Sequence, residues 1–203
     1  MEAESAPRIA GVILAAGGSQ RLGQPKQLLN WQGKPFVTQI ALKALQAGLS
    51  PVIMVTGANH SQVEAAVKPL PLMIVYNPHW SEGQSTSMQA GLNALPKDCE
   101  GLIFLLSDQP HIPVELITGL IERFSENRLP IVAPKVEGKR GNPVLFGRKA
   151  FPALRQVRGD RGGRGILNQF EMDWLPWKDA RILLDVDNEG DLQILKQAYQ
   201  AKD

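Results

Sequence analysis

LAAGGSQRLGQPK, residues 14–26, ends an apolar run and turns at once polar, with three glycines, an arginine and a lysine in thirteen residues. A glycine-bearing loop that leaves a buried strand offers backbone N–H groups to phosphate oxygens, with no Cβ to block the approach. Gly17, Gly18 and Gly23 suit that work, and Arg21 and Lys26 can neutralise several negative charges. The loop is not a Walker loop. Gly18 and Gly23 have the right separation, but Gln24-Pro25 follows where that motif needs Lys and then Ser or Thr for magnesium. The Gly-x-Gly-x-x-Gly dinucleotide pattern is also absent.

Working outward, short apolar runs alternate with helical periodicity. Residues 9–16, 51–57, 72–77, 101–108 and 130–136 read as strands. Residues 34–49, 60–70, 83–95 and 113–127 read as helices, with Ser61 as N-cap of the second and Glu64 three residues on. This alternation predicts βαβ units and a mostly parallel sheet with helices on both faces. Ligands of such sheets lie outside the carboxyl ends of the strands, where the glycine loop and Ser107-Asp108-Gln109-Pro110 both fall. Residues 138–154 read as a small β-hairpin extension with a Gly-Lys-Arg-Gly turn, 158–165 as a flexible polar loop, and 182–200 as a strand, a turn and a last helix. Residues 1–7 read as a frayed tail and 8–203 as one domain.

Composition excludes several classes. A net charge of +2, with 43% hydrophobic and 21% charged residues, argues against nucleic acid or a membrane surface as partner. No apolar run approaches a membrane span, and the acidic start lacks the basic region of a secretory signal, so a cytoplasmic protein is expected. Cys99 stands alone, which rules out an internal disulfide. His60, His79 and His111 lack zinc spacing. The one charge asymmetry is local: residues 135–164 carry nine Lys or Arg against two acids. That excess serves either a solvated face or an anionic ligand.

Two acidic sites complete the reading. Asp108 ends one apolar run, and Asp185-Val186-Asp187 follows another. In a strand Asp185 and Asp187 would share a face. Carboxylates from two strand ends could converge on one Mg²⁺, which takes few carboxylates and fills its shell with phosphate oxygens and water. A lone strand-end Asp such as Asp108 is more often a turn or N-cap residue. The hydroxyls of residues 85–87 could cap a helix or meet a base.

Together, residues 14–23 with Lys26, Gly83-Gln-Ser-Thr-Ser87, Leu106-Ser-Asp-Gln-Pro110, Gly141-Asn-Pro-Val144, Gly159-Asp-Arg-Gly162 and Asp185-Val-Asp187 resemble the signature of the MobA-like nucleotidyltransferases. The resemblance spans most of the chain. It implies a Rossmann-like mixed sheet of the nucleotide-diphospho-sugar transferase type. It also implies attack by a substrate phosphate on the α-phosphorus of a nucleoside triphosphate, with pyrophosphate released. The chain looks most like the cytidylyl branch, which joins CMP from CTP to molybdopterin; a molybdoenzyme would then receive the product. On this resemblance Leu14, Ala15, Ala16, Gly17 and Gly18 would hold the nucleotide, and Arg21 and Lys26 would grip its triphosphate. Ser85 and Ser87 would lie near the base. Asp108 and Asp187 would hold Mg²⁺, and Asn142, Gly159, Asp160 and Arg161 would border the acceptor. A methyl at Ala16 would crowd a purine, a contact worth about 1–3 kcal/mol. Other readings are transfer to a sugar or isoprenoid precursor phosphate, and a non-catalytic chaperone for a pterin cofactor. The chaperone would not need the metal carboxylates. A nicotinamide oxidoreductase would need the absent glycine pattern.

Overall fold

The computed structural model describes residues 6–18 and 24–200. Its strands are β1 (Ile9–Ala15), β2 (Asn30–Trp31), β3 (Lys34–Pro35), β4 (Val52–Thr56), β5 (Met73–Tyr76), β6 (Gly101–Leu106), β7 (Ile131–Val136), β8 (Lys139–Arg140), β9 (Val144–Gly147) and β10 (Met172–Pro176). Its helices are α1 (Phe36–Gln46), α2 (His60–Val67), α3 (Gln84–Asn93), α4 (Val114–Asn127), α5 (Phe151–Leu154) and α6 (Glu189–Gln200). The main sheet has eight strands in the order β10-β7-β9-β6-β1-β4-β5, with β8 also paired to β7. Only β8 and β9 run against the rest. This is the mostly parallel mixed sheet expected.

The centre is apolar because both faces are covered. In β1 every residue but Leu14 is buried. On one face α1, α2 and α4 close a core that includes Ile40, Ala44, Val63, Leu116 and Leu120. On the other, α3 and α5 pack Met88, Leu92, Phe151 and Leu154 against Val12, Ile53 and Phe104. Helix α1 buries Phe36, Ile40 and Ala44, spaced four apart on one stripe. It stops because Gly48 adopts φ +79°, letting Gly48 N–H donate to Leu45 O and Leu49 N–H to Ala44 O. Among the described residues no helix is long and apolar enough to cross a membrane.

Five local expectations change. Ser61 lies inside α2, not at its cap; Asn59 precedes the helix, and Glu64 instead accepts from Thr56 Oγ1 at 3.0 Å. The hairpin turns at Glu137-Gly138, both at positive φ, rather than across residues 138–141. Its return arm is no appendage: β9 enters the main sheet between β6 and β7. Of residues 158–165, all but the extended Arg158 belong to a 3-10 segment, Gly159–Gln169, kinked at Gly162. No strand forms at 182–187; Ala180–Leu183 is a 3-10 turn followed by extended chain. Of the expected tail, residues 1–5 lie outside the described residues, and Pro7 is buried.

A third, small cluster governs the site. Val186, Leu192 and Leu195 pack on Leu29, Trp31 and Phe36, so the last helix closes over the β2–β3 hairpin. Val186 is 1% exposed; its burial contributes roughly 1.5–2 kcal/mol and pins the aspartates on either side of it.

Candidate functional site

β1 and β6 are parallel neighbours, and Leu14 pairs with Leu106. Two residues further along each chain, Ala16 and Asp108 therefore reach the same edge of the sheet. The glycine loop starts there, and Lys26 opens a short 3-10 turn behind it. Gln27 locks the turn in place: its buried Nε2 donates to Gly17 O at 2.6 Å and Ala15 O at 3.3 Å. The loop's near end thus hangs on a side-chain amide that no motif announced.

Lys26 Nζ donates to Asp108 Oδ2 at 2.9 Å and to Asp187 Oδ1 at 2.8 Å. Two carboxylates from distant parts of the chain therefore converge on one cation. Burial pushes the Lys26 ammonium down, but Asp108 and Asp187 more than offset this, and its pKa stands above the ordinary lysine value. Asp185 accepts from Gln109 Nε2 at 2.6 Å. Asp185 is exposed, yet partial desolvation by its neighbours and the Asp108 and Asp187 charges push its carboxyl up, against the Gln109 hydrogen bond and Arg164. Asp185 and Asp187 thus both approach Asp108 without a strand to align them, because Val186 between them is anchored inward.

Three observations bear on a divalent ion. Asp108 Oδ1 is buried and has no hydrogen-bond partner among the described residues. The Lys26 ammonium stands in for a cation between Asp108 and Asp187. No group of three or more His, Cys, Asp or Glu able to hold a metal occurs among the described residues. An ion here would take two protein carboxylates and complete its shell with phosphate oxygens and water, as Mg²⁺ does. The donor set fits.

Two recesses open at this edge. One, of about 520 Å³, is lined by Gly17, Gly18, Lys26, Trp80, Ser87 and Asp108, among others. The second, of about 190 Å³, is lined by Asn142, Arg140, Arg161, Arg164, Phe104 and Phe146, among others. They meet at Leu14, Gln84, Leu106 and Asp160, which line both. Asn142 reaches the site because β9 runs antiparallel: its first residue, Val144, pairs with Phe104, so the chain before it lies at the carboxyl edge of β6. Asp160 Oδ1 accepts from Gln84 N–H at 3.0 Å, tying the 159–169 segment to the start of α3. Gly83 permits this at φ +113°; a Cβ there would lie 2.9 Å from Asp160 Oδ1.

Most expected residues gather here, with exceptions. Leu14, Ala16, Gly17, Gly18, Lys26, Ser87 and Asp108 line the larger recess. Asp187 joins through Lys26. Ala15 is buried and takes part only through its carbonyl. Ser85 is 2% exposed and does not line the recess; Gln84 holds the lip instead. Ser87 Oγ already accepts from Asn77 Nδ2 at 3.0 Å. Asn142, Asp160 and Arg161 line the smaller recess, while Gly159 stands outside it at φ +68°. Arg21 and Gly23 lie outside the described residues. Gln84 stands in the polar run 84–87 and Gln109 in the 107–110 motif, but neither has a role assigned from sequence; Gln27, Trp80, Arg140 and Arg164 have no motif of their own, and only the local excess of basic charge hints at the last two.

A glycine loop and lysine opposite paired carboxylates, at the carboxyl edge of a mostly parallel sheet, define a nucleotide-handling α/β protein of the nucleotide-diphospho-sugar transferase type. Residues 11–173 match the family described as MobA-like NTP transferase domain, and the chain belongs to that family. It is 32% identical over 203 residues to nicotine blue oxidoreductase of Paenarthrobacter nicotinovorans, covering 96% of each chain. It is 30% identical over 187 residues to a probable molybdenum cofactor guanylyltransferase of Bacillus cereus (strain AH187), covering 88% of each. Among solved structures, Rv0371c of Mycobacterium tuberculosis H37Rv superposes with a TM-score of 0.84 at 27% identity, over 95% of this chain and 100% of that one. Its complex with manganese gives 0.82 at 26% identity, over 94% and 98%.

Proposed function

We propose that the protein is a Mg²⁺-dependent nucleotidyltransferase that joins CMP from CTP to molybdopterin or its molybdenum form. The observation that carries this reading is the convergence of Asp108 and Asp187 on Lys26 beside the glycine loop. An acceptor phosphate oxygen forms a bond to the α-phosphorus, the bond from that phosphorus to the α–β bridging oxygen breaks, and pyrophosphate leaves with the electron pair. A phosphate nucleophile is already ionised near neutral pH, so no general base is needed. Catalysis is then positioning and charge neutralisation. Backbone around Gly17 and Gly18 orients the triphosphate, and Lys26 offsets the charge that grows on the leaving group. A divalent ion held by Asp108 and Asp187 would supply Lewis-acid stabilisation of phosphate oxygens.

Ala16 lines the larger recess and supports a pyrimidine. The relatives named guanylyltransferase support GTP. One assay decides: pyrophosphate release from each of the four triphosphates with Mg²⁺ and molybdopterin. CTP should be preferred, and release should require the acceptor. Equal or better use of GTP would overturn the base assignment; no release from any triphosphate would overturn the reaction. The relative named nicotine blue oxidoreductase favours a second reading, redox chemistry. The missing Gly-x-Gly-x-x-Gly weighs against a nicotinamide cofactor. Oxidation of NADH or NADPH by the protein, without pyrophosphate release, would support it.

A further inference from the structure

Arg140 and Arg164 line the smaller recess and have no part in the chemistry described above. Arg140, on β8, is half-buried, and its Nη1 donates to neutral acceptors, Gly141 O and Asn142 Oδ1, each at 3.2 Å. Arg164, from the 159–169 segment, makes no hydrogen bond or ion pair with any described residue. Burial and the facing charge of Arg164 together hold the Arg140 guanidinium below the ordinary arginine value. The nearby carboxylates are already engaged, Asp160 by Gln84 N–H and Asp185 by Gln109 Nε2, and the two guanidinium groups repel each other across the recess. A dianion between them reverses the sign. Guanidinium forks also match the spacing of phosphate oxygens.

The rest of the recess narrows the ligand. Phe104 and Phe146 meet at 5.9 Å between ring centroids, and Val144, the register partner of Phe104, lines the same recess. This floor offers no hydrogen bonds to a polyhydroxyl body. Arg164 also lies close enough to Asp185 to act on its charge, which sets the arginine pair beside the Asp108–Asp187 centre.

We propose that Arg140 and Arg164 clamp the phosphate of the acceptor, a phosphomonoester dianion carried on an apolar or aromatic body that lies over Phe104 and Phe146. The word acceptor rests on the nucleotidyltransferase reading; the dianion site does not.

Phenyl phosphate is the probe and phenol its uncharged control, titrated into the full-length protein by calorimetry with CTP and Mg²⁺ saturating, so that the glycine loop and Lys26 are occupied. Arg164→Met is exposed and should fold normally. Arg140→Lys keeps the charge and loses the fork. Each substitution should weaken phenyl phosphate binding about tenfold, with Arg140→Met weakening it more, while CTP affinity changes by less than about twofold. Phenol should bind equally to all forms. Unchanged phenyl phosphate affinity in both Arg164→Met and Arg140→Lys would overturn the site, as would failure of the wild type to bind it. If no triphosphate binds but phenyl phosphate still depends on the arginines, the nucleotidyltransferase reading falls and the dianion site stands.

Discussion

Lys26 Nζ lies 2.8 Å from Asp187 Oδ1 although 161 positions separate them, and Asp108 Oδ2 approaches the same ammonium at 2.9 Å. The cation at the centre of this site is a side chain of the protein itself. On the proposed reading, a divalent ion would compete with Lys26 for the same carboxylates, and the ammonium would turn to phosphate oxygens once displaced.

Replacing Lys26 should separate its two roles. In Lys26→Gln, Mn²⁺ should bind the nucleotide-free protein more tightly, because the competing positive charge is gone. The same variant should lose roughly a hundredfold in kcat/KM, since charge on the leaving group is no longer offset. Free Mn²⁺ measured by electron paramagnetic resonance and pyrophosphate release give the two readouts. Weaker Mn²⁺ binding in the variant would show that the ammonium does not occupy the metal position.

Asp108→Asn should abolish metal-dependent pyrophosphate release with little effect on folding. The partly exposed ion pair with Lys26 contributes about 1 kcal/mol at most, equivalent to a fall in Tm of about 2–4 °C for a chain this size. Normal turnover would remove Asp108 from the metal site. A much larger fall in Tm would make it a structural residue.

His111, three residues beyond Asp108, sets an acid limit on stability. Burial, with the neighbouring Lys43 charge, lowers its pKa from 6.5 to about 4. Neither ring nitrogen has a hydrogen-bond partner among the described residues. The unfolded chain binds the proton first, so stability is present above pH 6.5 and is lost as pH falls through 4. The loss amounts to about 3 kcal/mol. His111→Leu should remove this component. Urea denaturation from pH 7 to 4, read as the difference between wild type and variant, checks it; parallel curves would refute it.

Gly83→Ala should loosen the junction of the two recesses. At φ +113° an alanine is strained, and its Cβ would crowd Asp160 Oδ1 and the Gly159 backbone. The expected cost is about 1–3 kcal/mol. Displacing Asp160 from Gln84 N–H should raise KM for both substrates. Thermal melts and steady-state kinetics measure the two effects; an unchanged Tm would show that the turn relaxes freely.

Residue patterns carried much of the framework. The continuous apolar runs at β1, β4 and β6 mark strands buried on both faces, and the stripes of α1 and α4 mark their covering helices. Short edge elements were not legible. β10 contains a buried carboxylate, Asp173, that only its partners Arg123 and Asn127 make tolerable. β2 and β3 flank a Gln32-Gly33 turn that no strong turn signal announces. Residues 184–187 alternate like a strand after the apolar Ile182-Leu183, yet period-two burial cannot distinguish a paired strand from an extended chain held by one buried side chain, here Val186.

The alternating architecture, the glycine loop at the end of the first strand and the residue types available for phosphate and metal are legible in the chain alone, because local patterning and backbone chemistry act over a few residues. Which of them meet is set by the folded arrangement. Whether Asp187 faces Lys26, whether Ser85 is sealed while Gln84 holds the lip, and whether Arg140 confronts Arg164 all depend on packing between segments up to 161 positions apart. Non-local contacts of that kind are settled by how helices, sheet and the closing C-terminal helix share one interior, and leave no local signature in the chain.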